Sequence, residues 1–239
     1  MITYIERFPE TLTGILSDTA LVKIKSLARA YGFNCPFLDF WQQDNSALIA
    51  RFYGEFIIAA SESSNFAEIS EFFCMLCAKE VFCSLKTATA LNYKNYKKYN
   101  ELSLFEKLAD SSNSTENDFK KIYNKLLAGT DGDICLPSFD DWYVDFSHRI
   151  RHKTARVFCL EKAVAITAFE TDDKALITGV AVNKLFRGQG LGRRVLHGIC
   201  SKIEADDKTP MVLANDDLTA FYIKHDFCIT SQMAICTIQ

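Results

Sequence analysis

The chain has 239 residues, 49% of them hydrophobic and 24% charged, the balance of a globular protein with room for one large domain or two smaller ones. Its 27 basic and 30 acidic residues leave a net charge of −3, which argues against nucleic acid or an anionic membrane as the main partner. No segment has the apolar length to span a bilayer, and the acidic, broken start Met1–Glu10 is not a signal peptide, so a cytoplasmic location is expected.

In the first half, Leu21, Val22, Ile24, Leu27 and Ala28 predict an amphipathic helix over Leu21–Ala30. Ala47–Phe52 and Glu55–Ala60 are apolar runs split by Tyr53-Gly54, the pattern of a β-hairpin. Phe66–Lys79 reads as a second helix, its apolar face built from Ile69, Phe72, Phe73, Leu76 and Cys77, and Val81–Leu85 as a short buried strand. The tyrosine- and lysine-rich stretch Asn92–Lys98 is a solvated loop or edge, and Ala90–Lys107 can supply the last strands of this half. The nine cysteines are odd in number and sit in apolar stretches, so they read as small buried hydrophobes in a reducing compartment. Cys74-Met75-Leu76-Cys77 has a C-x-x-C spacing but no second pair, so it is expected to be a buried helix face, and no metal site is expected.

Ala109–Asp118 holds almost nothing that can be buried and reads as a linker, placing an α/β domain at 1–110 and a second domain at 111–239. After it come a helix over Asp118–Leu127 and another over Phe139–His152, opened by Pro137-Ser138. The runs Ala155–Leu160, Ala163–Phe169 and Ala175–Val182, joined by tight polar turns, predict an antiparallel meander. Leu191, Val195, Leu196, Ile199 and Ile203 then mark a helix, followed by a strand at Met211–Ala214, a helix at Leu218–His225 and a strand near Cys228–Ile238. The fold class is a mixed α/β (α+β) sheet with a parallel strand pair around the glycine-led helix.

That helix is preceded by Val180-Ala181-Val182 and the turn Arg187-Gly188-Gln189-Gly190-Leu191-Gly192. A glycine-rich turn at a helix start gathers free N–H groups and the positive end of the helix dipole, a cradle for phosphate. A Walker A loop would need Lys-Ser/Thr after the last glycine, where Arg193-Arg194 stand. A dinucleotide loop would need a small residue at position 193 and glycines directly after the strand, whereas Asn183–Phe186 intervene.

Together with Asn215 and the later segment Ala220-Phe221-Tyr222-Ile223-Lys224-His225-Asp226-Phe227, this turn resembles the GNAT superfamily of acyl-CoA-dependent N-acyltransferases. The resemblance covers Asp118–Gln239. It implies that Val180, Ala181 and Val182 lie along pantetheine, and that Arg187, Gly188, Gln189, Gly190, Leu191, Gly192 and Arg193 wrap the pyrophosphate of acetyl-CoA or coenzyme A. It further implies that Asn215 sits beside the pantetheine arm and that Tyr222 protonates the departing thiolate. Two departures stand out: Asp226 replaces the usual glycine before the aromatic residue, and the strand Ala175–Val182 carries no carboxylate to serve as base.

Asp145, His148, His152 and Glu170 are the remaining base candidates. Asp145, His148, Arg149 and His152 share one helix face, which can hold an acceptor's carboxylate or phosphate with Arg149 as bidentate anchor, or form an internal Asp–Arg pair. The first half has the outline of a second, degenerate GNAT-like domain without a glycine turn. The expected function is acetyl transfer from acetyl-CoA to a primary amine of a small molecule or peptide by direct attack, the alternatives being a non-catalytic acyl-CoA-binding module or a purely structural protein.

Overall fold

The computed structural model describes residues 1–12, 14–105, 118–129 and 136–238. These residues divide into two compact units. The first comprises Met1–Leu102, Leu213–Ala220 and Ile229–Gln239; the second comprises Ser103–Val212 and Phe221–Cys228. Of the expected linker Ala109–Asp118, only Asp118 lies among the described residues.

In the first unit a short strand β1 (Ile2–Tyr4) leads to helix α1 (Thr19–Tyr31), whose Leu21, Val22, Ile24 and Leu27 are buried as the apolar periodicity predicts. Asp18 caps α1 by accepting from the Ala20 and Leu21 N–H groups. Strands β2 (Leu38–Gln43), β3 (Ala47–Phe52) and β4 (Glu55–Ala60) follow as an antiparallel meander. Helix α2 (Phe66–Met75) then crosses over to β5 (Glu80–Ser84), which pairs parallel to β4. A short helix α3 (Leu85–Ala90), capped by Ser84, precedes β6 (Tyr96–Leu104). The C-terminal strand β11 (Phe227–Thr237) lies between β5 and β6, antiparallel to β5. Ile69 and Phe73 of α2 pack on Ile49, Phe56, Ile58 and Val81, forming this unit's core.

The second unit begins with helices α4 (Phe119–Gly129) and α5 (Phe139–Arg151), the latter capped by Ser138. Strands β7 (Val157–Cys159), β8 (Ala163–Glu170) and β9 (Lys174–Val182) make the expected antiparallel meander. Helix α6 (Leu191–Glu204) then leads into β10 (Thr209–Ala214), parallel to β9. Ile122, Leu126, Trp142 and Phe146 cover one face of the meander at Val164, Ile166 and Ala181. On the other face α6 comes so close that a Cβ on Gly198 would stand 2.3 Å from the Phe158 ring. Helix α7 (Asp216–Ile223) connects β10 to β11.

Meander, helix, parallel strand therefore occurs twice, as β2–β3–β4, α2, β5 and as β7–β8–β9, α6, β10. The first copy has no glycine turn, and Asn65 caps α2 by accepting from Glu68 N–H at 3.2 Å. Two expectations are corrected. Leu85 opens a helix rather than closing a strand, because Ser84 offers its hydroxyl to Thr87 N–H. Cys74 and Cys77 are exposed instead of lying on a buried face, since α2 stops at Met75 and Cys77 turns into positive φ. No helix among the described residues is long and apolar enough to cross a membrane.

Candidate active site

At the C-terminal end of β9 the second unit brings together a free strand edge, a glycine turn and an unsatisfied helix start. Asn183 donates its N–H to the Lys162 carbonyl at 3.0 Å, so residues 162 and 183 form a hydrogen-bonded pair of the antiparallel ladder. Alternation then turns the backbone groups of Val180 and Val182 away from β8. Pairing with β10 has already stopped at Ile177, opposite Val212, so these groups face an edge without a ladder. A strand edge of this kind offers N–H donors to a carbonyl oxygen laid alongside it.

The loop beyond is built to stay open. The Asn183 side chain accepts from Leu185 N–H at 3.1 Å and starts a single 3-10 turn over Lys184–Phe186. Gly188 and Gly190 then take φ +77° and +75°, left-handed backbone that side chains resist, and a Cβ at either would meet nothing within 4 Å. Gly190 is the residue before α6 and supplies no side-chain cap. Asp18, Asn65, Ser84, Asp118, Ser138 and Asn215 each accept from a first-turn N–H of α1, α2, α3, α4, α5 and α7, so α6 alone among the described helices begins uncapped. Its first N–H groups have no capping side chain, and the dipole at such a helix start favours an anion. Gln189, Gly190 and Arg193 are exposed and Leu191 and Gly192 half-buried around this point.

Arg187 folds back rather than outward. Its Nη2 donates to the Gly129 carbonyl at 2.7 Å and its Nε to the Val182 carbonyl at 3.4 Å. Gly129 can end α4 there because it lacks a side chain: a Cβ would stand 2.6 Å from Ala181 Cβ and 2.9 Å from Val182 N. Arg187 and Gly129 thus seam the end of α4 to the end of β9. The sequence reading did not single out Gly129; a glycine just past a predicted helix end was its only signal.

Tyr222, in the last turn of α7, is buried between Phe221 and Phe227, with ring centroids 5.2 and 5.7 Å away. Burial, with a smaller contribution from nearby Cys200, pushes its pKa up to about 12, and its hydroxyl makes no hydrogen bond to a described residue. Phe221 would lie 3.6 Å from a Cβ on Gly192, which sets the aromatic pair against the first turn of α6. His225 packs edge-on to both Phe221 and His197, and the His197 Nε2 is buried without a partner. Both imidazoles are held below the usual histidine range, first by burial and then by cationic neighbours including Arg193. Asp226 takes φ +66°, the left-handed backbone for which a glycine was expected. Asn215 belongs to the segment of the first unit; its Oδ1 caps Leu218 N–H at 3.0 Å and its carbonyl accepts from Thr219 Oγ1 at 2.8 Å.

The α5 face has a different character. Arg149 is fully buried, its Nε bonded to both Asp145 carboxylate oxygens at 3.0 and 2.8 Å and its Nη1 to the Ala168 carbonyl at 3.0 Å. Phe169 lies under the guanidinium, 4.7 Å from ring centroid to Cζ. Asp145 and Arg149 are therefore an internal pair and offer no open fork to an acceptor. His148 and His152 stack at 4.3 Å on the outer surface, where burial, His148 and Arg151 all lower the His152 pKa.

Glu170 is buried under three cationic or hydroxyl donors: Arg156 Nη2 at 2.5 Å, Lys208 Nζ at 3.0 Å and Thr167 Oγ1 at 2.5 Å. Burial pulls its pKa upward, but the Arg156, Thr167 and Lys208 bonds outweigh that and hold the carboxyl below its usual range. A carboxylate so engaged is a poor proton acceptor.

Residues 138–234 match the family model described as an acetyltransferase (GNAT) domain. An acetyltransferase of the GNAT family from Colwellia psychrerythraea shares the fold at a TM-score of 0.58 and 14% identity, covering 100% of both chains. A tandem GNAT protein from the clavulanic acid biosynthesis pathway, solved without AcCoA, aligns at a TM-score of 0.58 and 11% identity over 100% of this chain and 98% of its own. No curated protein matches the chain.

Proposed function

We propose that the chain, whose residues 138–234 match the model of an acetyltransferase (GNAT) domain, transfers an acetyl group from acetyl-CoA to a primary amine of a small molecule or peptide by direct attack. The observation that carries the reading is the uncapped start of α6 behind two left-handed glycines, next to the ladder-free edge of β9. Backbone N–H groups of Gly190, Leu191, Gly192 and Arg193 would hold a pyrophosphate, and the Val180 and Val182 edge would lie along pantetheine. When bound, the coenzyme supplies the activated thioester.

The residues then divide the chemistry. N–H donors on the β9 edge stabilise negative charge developing on the thioester oxygen. Tyr222 is protonated at any working pH, since its phenol titrates at about 12. A thiol has an ordinary pKa of about 8.5, so complete transfer from such a phenol to the sulfur is uphill by about 5 kcal/mol. Tyr222 is better suited to relay: it gives its proton to the sulfur as it receives one shed by the attacking nitrogen, leaving thiol, amide and neutral phenol. With Glu170 and Asp145 both engaged, the earlier conversion of the acceptor's ammonium to the neutral amine, before attack, falls to solvent.

That engagement is also what favours the second reading, an acyl-CoA-binding module without turnover. Calorimetric titration with coenzyme A followed by a thiol-release assay separates the two. Binding plus amine-dependent thiol release supports the transferase, binding alone supports the module, and no binding at millimolar coenzyme removes both.

A further inference from the structure

Strand β9 loses its partners on both sides at Thr178. Against β8, Ile166 stands opposite Gly179 and Thr167 opposite Ile177, so Thr178 is an extra residue without a cross-strand partner. Against β10, the register ends at Ile177, opposite Val212. The misfit is braced from the other strand. Thr167 and Phe169 face Ile177 and Leu176, which leaves Ala168 as a second extra residue. The Ala168 carbonyl accepts from Nη1 of the fully buried Arg149 at 3.0 Å. A bulge bends its strand and re-aims a side chain, and bulges recur beside active sites. The residue at the bulge is Thr178, exposed between buried Ile177 and half-buried Gly179. Its hydroxyl makes no hydrogen bond to a described residue. Across Ala175–Val182 it is also the only side chain able to form one.

We infer that Thr178 holds the acceptor, its hydroxyl oxygen accepting one N–H of the incoming primary amine; the inference rests on the transferase reading above. The direction of the coenzyme in that reading decides the place. Pyrophosphate held at the start of α6 lies beyond Val182, and pantetheine laid back along Val182 and Val180 points its acyl end toward Thr178. The count of hydrogens then gives the residue its selectivity. A neutral primary amine carries two N–H bonds. As nitrogen bonds to the thioester carbon, one proton is shed and passes through the Tyr222 phenol to the departing sulfur. The other stays on nitrogen and becomes the amide N–H. Thr178 holds the one that stays, so its bond persists from bound amine to amide and keeps the nitrogen lone pair aimed at the carbonyl. A secondary amine has a single N–H, which must be shed, and none is left for Thr178. The hydroxyl itself takes up no proton, so it needs no shifted pKa for this task.

The test compares Thr178→Val, which keeps the branched shape and removes the hydroxyl, with Thr178→Ser, which keeps the hydroxyl. Thiol release from saturating acetyl-CoA is measured with ethanolamine and glycinamide and with their N-methyl counterparts, alongside calorimetry with coenzyme A. Thr178→Val is expected to lower kcat/KM about tenfold for the primary amines and less than about twofold for the N-methyl amines, which do not use the bond. Thr178→Ser is expected to stay within about threefold of wild type, and both variants to keep coenzyme affinity within about twofold. An unchanged rate with primary amines in Thr178→Val overturns the inference. An equal loss with both amine classes also overturns it, since that marks a structural effect. Weakened coenzyme affinity in Thr178→Val assigns the hydroxyl to the coenzyme instead and overturns it as well. No thiol release by the wild type overturns the transferase reading, and the inference with it.

Discussion

Arg187 and Gly129, far apart in sequence, are joined by a single hydrogen bond of 2.7 Å from guanidinium to carbonyl. Because Arg187 Nε also reaches the Val182 carbonyl, one side chain holds the helix end, the strand end and the entry to the glycine loop in one arrangement. A lysine lacks the planar fork whose separate nitrogens reach the two carbonyls here. Arg187→Lys is therefore expected to weaken coenzyme A binding nearly as much as Arg187→Ala, by roughly 1–2 kcal/mol. Recovery of affinity in the lysine variant, read by calorimetry, would mean that the positive charge acts directly on phosphate.

Gly190→Asp tests the helix start. Aspartate tolerates left-handed backbone better than most residues, so the unfolding free energy is expected to fall by only about 1 kcal/mol. The carboxylate stands where an anion is to bind, and coenzyme affinity is expected to drop by at least 100-fold. Affinity within threefold of wild type would place the ligand elsewhere.

Much of the local structure around the candidate site was visible before the fold. The strand into Val182, the glycine turn before the amphipathic α6 and the helix carrying Tyr222 are local patterns, and the hairpin at Ala47–Ala60 was read to the residue. The left-handed turn at Asp226 could also be anticipated, because backbone demand is written locally. What could not be read are partnerships across the chain. Arg149 looked available on its helix because its covering groups, the Ala168 carbonyl and Phe169, come from β8. Glu170 looked like a base because Arg156 and Lys208 reach it from elements on either side. Strand β2 (Leu38–Gln43) was missed because its alternation is broken by the paired glutamines, and its pairing to β3 decides it.

The Glu170 cluster sets an acid limit. Its folded pKa lies below the ordinary glutamate value of about 4.5, so the unfolded chain takes up the proton first as pH falls. The cluster's contribution is then fully present above about pH 4.5 and is lost as pH drops through the lower folded value. Glu170→Gln leaves Arg156 and Lys208 facing a neutral amide in a buried setting, and is expected to cost about 3–5 kcal/mol at pH 7 and to flatten the acid limb. Urea unfolding between pH 3 and 7 reads both; an unchanged acid limb would assign it to other carboxylates.

Gly198→Ala forces a methyl toward the Phe158 ring, which leaves 2.3 Å where van der Waals contact needs far more. A loss of about 1–3 kcal/mol is expected, with no selective effect on coenzyme affinity per folded molecule. Denaturant titration and calorimetry on the same sample distinguish that from a site defect.

The most direct test of acetyl transfer by this chain is the turnover of Tyr222→Phe relative to wild type, measured as thiol release at saturating acetyl-CoA with primary amines present. A loss of roughly 100-fold or more, with coenzyme A affinity kept within twofold, is the predicted result. Equal turnover in the two proteins would contradict the role of the buried phenol, and with it the mechanism derived for this fold.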